Sequence, residues 1–302
     1  SHVRRNSRES RCKMEGAWAR LISIKAHISN VALHHTVFDL PFAFMGAVLA
    51  SSGHPSPWVL LWVAVALTAA RAAALAIDNL ADLKFDKQQA RMAHRAMVTG
   101  AISKSEARIF IAVCLIVTVA AVAQLPRICL YLLPIAAVPF IIYPFMKRIT
   151  CWVHVFLGAA IAMAPAGGYV AAAEEISLPM VTLCVAVALW MAGFDAIYGS
   201  QDEAFDRAHG LHSFSVTFGV RGAFYISYVM HVLCIAAFFA VGILLSLGSI
   251  YFIGVGIAAG TLYYQHKIVS PTDLSRVTQR YFMRNGIVSV AIFACTWVSY
   301  FF

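Results

Sequence analysis

Apolar residues gather into nine long runs, at roughly 31–51, 57–78, 106–124, 127–145, 151–172, 178–198, 222–246, 249–264 and 284–302. Each approaches the ~20 residues that an α-helix needs to cross a hydrocarbon core about 30 Å thick. Helices are the expected element, because a spanning segment cannot leave backbone polar groups unpaired in lipid. Very short turns divide the third run from the fourth and the seventh from the eighth, so the pattern sets those boundaries only loosely. The expectation is an all-α, polytopic membrane protein: a basic N-terminal tail over residues 1–25, then a single nine-helix transmembrane domain over residues 26–302.

Composition agrees with that pattern. The chain is 61% hydrophobic and only 12% charged, against about 25% charged in soluble domains. A net charge of +9 raises the question of nucleic acid, but the distribution of charge argues against it. Seven Lys/Arg lie in the first 25 residues. Others fall in alternate connections: Lys84, Lys87, Arg91, Arg95 and Lys104; Lys147 and Arg148; Arg207 and Arg221; Lys267, Arg276, Arg280 and Arg284. The intervening connections hold only Arg127 among basic residues, and one of them carries Glu174 and Glu175. This is the positive-inside alternation. It predicts a multi-pass protein with the N-terminus and both acidic segments facing the cytoplasm and the C-terminus across the membrane; the expected location is a bacterial inner membrane.

The seven cysteines are scattered without a CxxC spacing and read as buried structural thiols. The head, SHVRRNSRESRCKMEG, has no apolar core and is not read as a signal peptide. It reads as residues ahead of a start at Met14, a basic membrane-surface tail or an organellar presequence, and is set aside from the fold.

Two segments break the apolar pattern in the same way. RAAALAIDNLADLKFDKQQARMAHR (71–95) and GFDAIYGSQDEAFDRAHGLHS (193–213) each load carboxylates onto the end of a membrane-length run. At 100° per residue, Asp195, Tyr198, Asp202 and Asp206 map to roughly 0°, −60°, −20° and +20°, one face of a helix. Asp78, Asp82 and Asp86 are spaced four apart, and Arg71 falls near their face. One such stripe would ordinarily be a solvated helix end. Two together form a dense negative charge that is costly unless cations occupy it. Hard divalent ions take oxygen ligands, and Mg²⁺ is usually held by one or two carboxylates with waters and substrate phosphates. The residues therefore point to a pair of Mg²⁺-carboxylate sites facing a phosphate-bearing ligand. Arg71, an ionisable residue inside an apolar run, is a functional candidate by default.

These motifs resemble those of the UbiA-type intramembrane prenyltransferases. The family's NDxxDxxxD motif and its basic continuation are matched by DNLADLKFDKQQARMAHRAMVTG, with Asp82, Asp86, Arg91, Arg95 and Gly100 in place. Its DxxYxxxDxxxD motif is intact at Asp195, Tyr198, Asp202 and Asp206. FDLPFAFMGA and YPFMKR (143–148) also look like the family. The chain departs by reading Asp78–Asn79 where the family has Asn–Asp, and by Met92 and Ala96 where it has Thr and Pro.

The resemblance implies a nine-helix bundle that transfers a prenyl group from a polyprenyl diphosphate to a small acceptor. Asp82 and Asp86 would hold one Mg²⁺, with Asp78 a further candidate ligand, and Asp202 and Asp206 the other. Lys147, Arg71, Arg91 and Arg95 would grip phosphate oxygens. Tyr198 and Tyr143 would shield the allylic cation by cation–π attraction. The lipid tail explains the membrane location, since each buried CH₂ contributes about 0.8 kcal/mol. YPFMKR and the FDRxxGLHS continuation look most like the branches acting on 4-hydroxybenzoate, in ubiquinone synthesis, and on a dihydroxynaphthoate, in menaquinone synthesis. Either aromatic acid needs a cationic anchor, Arg71 or Arg148, and Asp195 would accept a hydrogen bond from its phenol. His209 and His212 are expected to structure the loop.

The rival from another class is a secondary transporter. Such sites lie near the midplane on interrupted, repeated helices, and APAGG (164–168) is the one such interruption, which a kink making room for a prenyl chain explains equally well. Both acidic clusters instead lie at cytoplasmic ends, and no HExxH pair or Walker-type glycine loop occurs. A catalytically silent scaffold of the same fold is disfavoured by the complete second stripe.

Overall fold

A computed structural model describes residues 36–302. The tail over residues 1–25 and residues 31–35 of the first apolar run lie outside the described residues. Among the described residues, every apolar run is a helix. In chain order these are α1 (Thr36–Ala50), α2 (Pro57–Asp86), α3 (Lys104–Val122), α4 (Arg127–Met146), α5 (Val153–Ala173), α6 (Leu178–Gly199), α7 (Glu203–Ala208), α8 (Phe214–Leu244), α9 (Ser249–Ile268), α10 (Gln279–Met283) and α11 (Asn285–Val298). Only the short α7 and α10 lie in connections. The described residues contain no strand, only one bridge between Ser270 and Asp273.

Seven stretches among the described residues are long and apolar enough to cross a membrane: 57–86, 104–122, 127–146, 153–173, 178–208, 214–244 and 280–298. Nine spans were expected, and α1 and α9 account for the difference. The described part of α1 has 15 residues, and α9 ends in Gln265, His266 and Lys267, which dilute its apolar character.

Local chemistry sets the helix ends. Pro57 opens α2, where its missing N–H is not needed. Ser103 and Glu106 form a reciprocal capping box at α3, each side chain accepting the other's backbone N–H. Ser213 Oγ accepts the Val216 N–H and starts α8 before the expected position 222. Gly219 then breaks that helix locally with φ 73°, a conformation open to glycine. The apolar pattern missed this first stretch because Arg221 and Gly222 interrupt it.

The core centres on α6, whose Leu183, Trp190, Phe194 and Ile197 are fully buried between α5 and α8. α1 packs on α5 and α11, so the later helices close a ring back onto the first, while α2, α3 and α4 flank its other side. The APAGG stretch is not a break. It lies within continuous α5, and a Cβ on Gly168 would run into the Ala43 carbonyl of α1. Gly46 of α1 is pressed equally closely on the Pro165 carbonyl. This is the small-residue packing by which membrane helices approach one another.

At 1.5 Å per residue α2 is about 45 Å long, longer than a ~30 Å hydrocarbon core. Its last turns, carrying Asp78, Asp82 and Asp86, therefore extend the helix beyond the expected lipid span.

Candidate active site

Three connections meet at one end of the bundle: α2–α3, α4–α5 and α6–α8. The second acidic stripe is not one regular helix, since α6 passes through a 3₁₀ turn at Ser200–Asp202 before α7. Its carboxylates nevertheless face groups from both other connections. Arg91 Nη2 lies 2.5 Å from Asp202 Oδ2, and Gln89 Nε2 donates to Asp202 Oδ1 at 2.5 Å. Lys147 Nζ lies 2.9 Å from Asp206 Oδ1. On the first stripe, Arg95 Nη1 sits 2.6 Å from Asp86 Oδ2, and Arg148 Nη2 sits 3.0 Å from Asp82 Oδ1. Four of the five carboxylates expected to bind metal are thus interleaved with four cations, which offset the repulsion expected from two acidic stripes.

Burial disfavours the charged form of Lys147, but the carboxylates of Asp206, Asp202 and Asp82 outweigh it and raise its pKa above the ordinary lysine value. Arg95 behaves alike, with burial opposed by Asp86, Asp78 and Asp82. Both remain cations. Asp206 is almost fully buried, and its Oδ2 has no hydrogen-bond partner among the described residues.

Tyr198 forms the apolar wall of this ring. It stacks on Phe194 at 5.7 Å and meets Phe282 edge-on, while the Arg91 guanidinium lies 5.7 Å from its centroid. The tyrosine face thus already receives a cation. Tyr143 lies near the charged side chains of Asp78, Arg71, Asp195 and Asp82. No ion pair of Asp78 occurs among the described residues, while Asn79, on a different face of the helix, is buried.

The sequence reading did not anticipate two of these partners. Arg71 is buried and ion-paired with Asp39 of α1, leaving its Nε without a partner among the described residues. Asp39 is an acid within an apolar run, and the default applied to Arg71 flags it equally. His154 Nδ1 lies 2.7 Å from Asp195 Oδ2, and its Nε2 faces the Phe214 N–H at 3.5 Å. Nε2 can only accept from that N–H, so Nδ1 carries the proton and donates to Asp195. No spacing rule pairs residues 154 and 195. His209 bonds the Phe205 carbonyl and Gln88, and the His212 N–H donates to the Lys147 carbonyl. The His209 ring thus ties its loop together, as expected, while the His212 contact is made by its backbone.

An apolar cavity of about 460 Å³ lies between α2, α3, α4 and α5. Its lining runs from Ile77 and Phe140, nearest the carboxylates, past Ala70, Ala74 and Gly167 to Leu125, Cys129 and Ile176 towards the opposite end of the bundle. The alanines of α2 leave the space, and Gly167 presents no side chain to it.

A model of the UbiA prenyltransferase family matches residues 40–287. The chain belongs to this family. It is 30% identical over 288 residues to the 4-hydroxybenzoate octaprenyltransferase of Cupriavidus necator, covering 94% of this chain and 96% of that one. The enzyme of the same name from Klebsiella pneumoniae is 30% identical over 253 residues, 83% of this chain and 87% of its own. Among solved structures, a UbiA homolog from Aeropyrum pernix aligns with a TM-score of 0.79 at 34% identity, covering 88% of this chain and 98% of that one. A UbiA homolog from Archaeoglobus fulgidus, solved with GPP and Mg²⁺ bound, shares the fold at a TM-score of 0.67 and 18% identity, covering 92% and 100%. The protein is therefore a prenyltransferase with the UbiA fold, and its seven apolar spans make it a multi-pass membrane enzyme.

Proposed function

We propose that this UbiA-family prenyltransferase moves a polyprenyl group from a polyprenyl diphosphate to an aromatic acid of the 4-hydroxybenzoate type, in quinone biosynthesis. The observation that carries the reading is a carboxylate ring together with a 460 Å³ apolar cavity whose lining reaches Ile77, one residue before Asp78. A diphosphate with a long hydrocarbon tail is a ligand that fits both. The names of the bacterial relatives, at about this level of identity throughout, favour 4-hydroxybenzoate as acceptor. The bundle is read as nine membrane helices, α1 and α9 included, in a bacterial inner membrane. Lys/Arg gather at the carboxylate end, which supports a cytoplasmic face for it.

The residues present fit Mg²⁺. Asp82 with Asp86, and Asp202 with Asp206, supply hard oxygen donors, Asp78 stands beside the first pair, and Asp206 Oδ2 is buried without a partner. Among the described residues no three His, Cys, Asp or Glu side chains form a metal-ligand group. Mg²⁺ tolerates this, because waters and substrate phosphates complete its shell. When bound, such ions neutralise the charge that develops on the departing diphosphate.

The protein groups do the rest. Arg91, Arg95 and Lys147 exchange carboxylate partners for phosphate oxygens as the donor enters. The allylic C–O bond breaks, its electron pair leaving with diphosphate, and the faces of Tyr198 and Tyr143 stabilise the carbocation. The phenol O–H of the acceptor donates to Asp195, which His154 holds in place, and raises electron density at the adjacent ring carbon. That carbon forms the new C–C bond and then loses its proton, restoring the aromatic ring. Arg71, buried with a free Nε, anchors the acceptor carboxylate. Arg148 is less suited, since it already serves Asp82 and the Ala81 carbonyl at an exposed position.

The test offers purified protein Mg²⁺, geranyl diphosphate and, in parallel, 4-hydroxybenzoate or dihydroxynaphthoate, with product followed by mass spectrometry. Prenylated 4-hydroxybenzoate, absent with Asp202→Ala, is the expected result. Product from the naphthoate alone would replace the acceptor and keep the chemistry. Undiminished product with the variant would overturn the site.

A further inference from the structure

The connection between α9 and α11 holds a second basic site that the reaction does not use. Arg276, Arg280 and Arg284 line a cavity of about 510 Å³ together with Tyr264, Ser275 and Thr278. None of the three arginines joins an ion pair among the described residues, whereas Arg91, Arg95, Lys147 and Arg148 each hold a carboxylate. The nearby acid, Asp273, accepts the Ser275 N–H at 3.0 Å and lies near Arg276 without reaching ion-pair distance. The Arg284 guanidinium lies 5.4 Å from the Tyr264 centroid, which fixes one wall. Three arginines lining one concavity make it strongly positive, and their planar forks match phosphate oxygens.

The position of the cavity narrows the choice of anion. It lies where α9 ends and α11 begins, at the carboxylate end of the bundle. Directly beside it, Met283, Ile287 and Val290 form an exposed apolar strip at helical spacing. Tyr263 and Tyr264 are also exposed there, as tyrosines at a membrane–water boundary commonly are. A charged head with apolar chains satisfies both surfaces at once, and basic pockets between membrane helices are known to suit anionic lipid headgroups.

We propose that this cavity binds the phosphate headgroup of an anionic phospholipid, with its acyl chains along Met283, Ile287 and Val290. The site is separate from the reaction site yet firmly joined to it. α10 turns Tyr281 and Phe282 inward onto Phe194, and Phe282 also touches Tyr198. The assignment does not depend on the donor or acceptor proposed above.

Native mass spectrometry of the detergent-purified full chain provides the test. Phosphatidylglycerol and phosphatidylcholine of matched acyl length are offered in equal amounts, with inorganic phosphate in a separate lipid-free arm. The expected result is a several-fold preference for phosphatidylglycerol that falls to about even in the double variant Arg276→Gln/Arg280→Gln. Both arginines are exposed, so their loss leaves the core intact. Ser275→Asp, which puts a carboxylate in the same cavity, is expected to abolish the preference too. Lys104→Gln, a cation at the start of α3, should keep it. A preference unchanged in both cavity variants would overturn the proposal. So would phosphate adducts that depend on the arginines without any preference between lipids, which would mark a site for a free anion.

Discussion

Two basic connections lie at the same end of this enzyme, and a count of charges along the chain treats them alike. In the α2–α3 connection, Arg91 and Arg95 close on Asp202 and Asp86 at 2.5 and 2.6 Å. In the α9–α11 connection, Arg276, Arg280 and Arg284 hold no carboxylate among the described residues and share a cavity. The difference lies in what each loop covers. The first folds over two acidic stripes, where every cation offsets a charge that would be costly to bury alone. The second borders apolar helix faces, so its charge awaits an outside partner. Equal residue types thus form a closed electrostatic lock in one place and an open receptor in the other.

The largest test of this contrast is chemical. Chelation of divalent metal, or Asp206→Asn, is expected to lower turnover by on the order of 10³, about 4 kcal/mol of transition-state stabilisation. Initial rates with geranyl diphosphate measure it. Arg95→Gln comes next. Loss of a charged hydrogen bond to the donor costs roughly 1.5–3 kcal/mol, so kcat/KM for the diphosphate should fall about 10- to 100-fold. A fall of under twofold would remove Arg95 from the site. His154→Leu sharpens the picture at the acceptor side. The expected result is a kcat lowered about tenfold with the donor KM unchanged, partly restored by His154→Gln, which can still donate to Asp195. Equal loss in both variants would make His154 a packing residue only. The smallest effect belongs to the open connection: Arg276→Gln should change turnover in detergent by less than about twofold, as an exposed residue without an ion pair. A loss matching that of Arg95→Gln would erase the distinction between the two loops.

Much of the catalytic end was legible because its signals are local. Asp82 and Asp86 lie on one helix at a spacing that stacks them, and YPFMKR carries Lys147 and Arg148 together to a helix end. The matching of Lys147 to Asp206, or of Gln89 to Asp202, was not legible. Each joins residues far apart in sequence whose meeting depends on how α2, α4 and α6 pack. Asp39 shows a different gap. Its signal, an acid in an apolar helix, was present, but its partner Arg71 became evident only when α1 and α2 lay side by side. His154 had no signal at all. The APAGG stretch was read as a break, for a transport site or for a prenyl chain; α1 shows close contact instead of a break, while Ala164, Ala166 and Gly167 do line the apolar cavity.

By itself, then, the chain's pattern of apolar runs determined a helical membrane protein, its helix positions and which end carries charge. Those properties follow from the need to pair backbone groups in lipid and from helical periodicity, both of which act within a single segment. The tertiary structure alone decided the ion-pair partners, the tautomer of His154, the apolar cavity and the unpaired arginine cavity. These arise between segments. Empty space and unpaired charge depend on what a neighbouring helix leaves uncovered, and no single stretch of sequence carries that information.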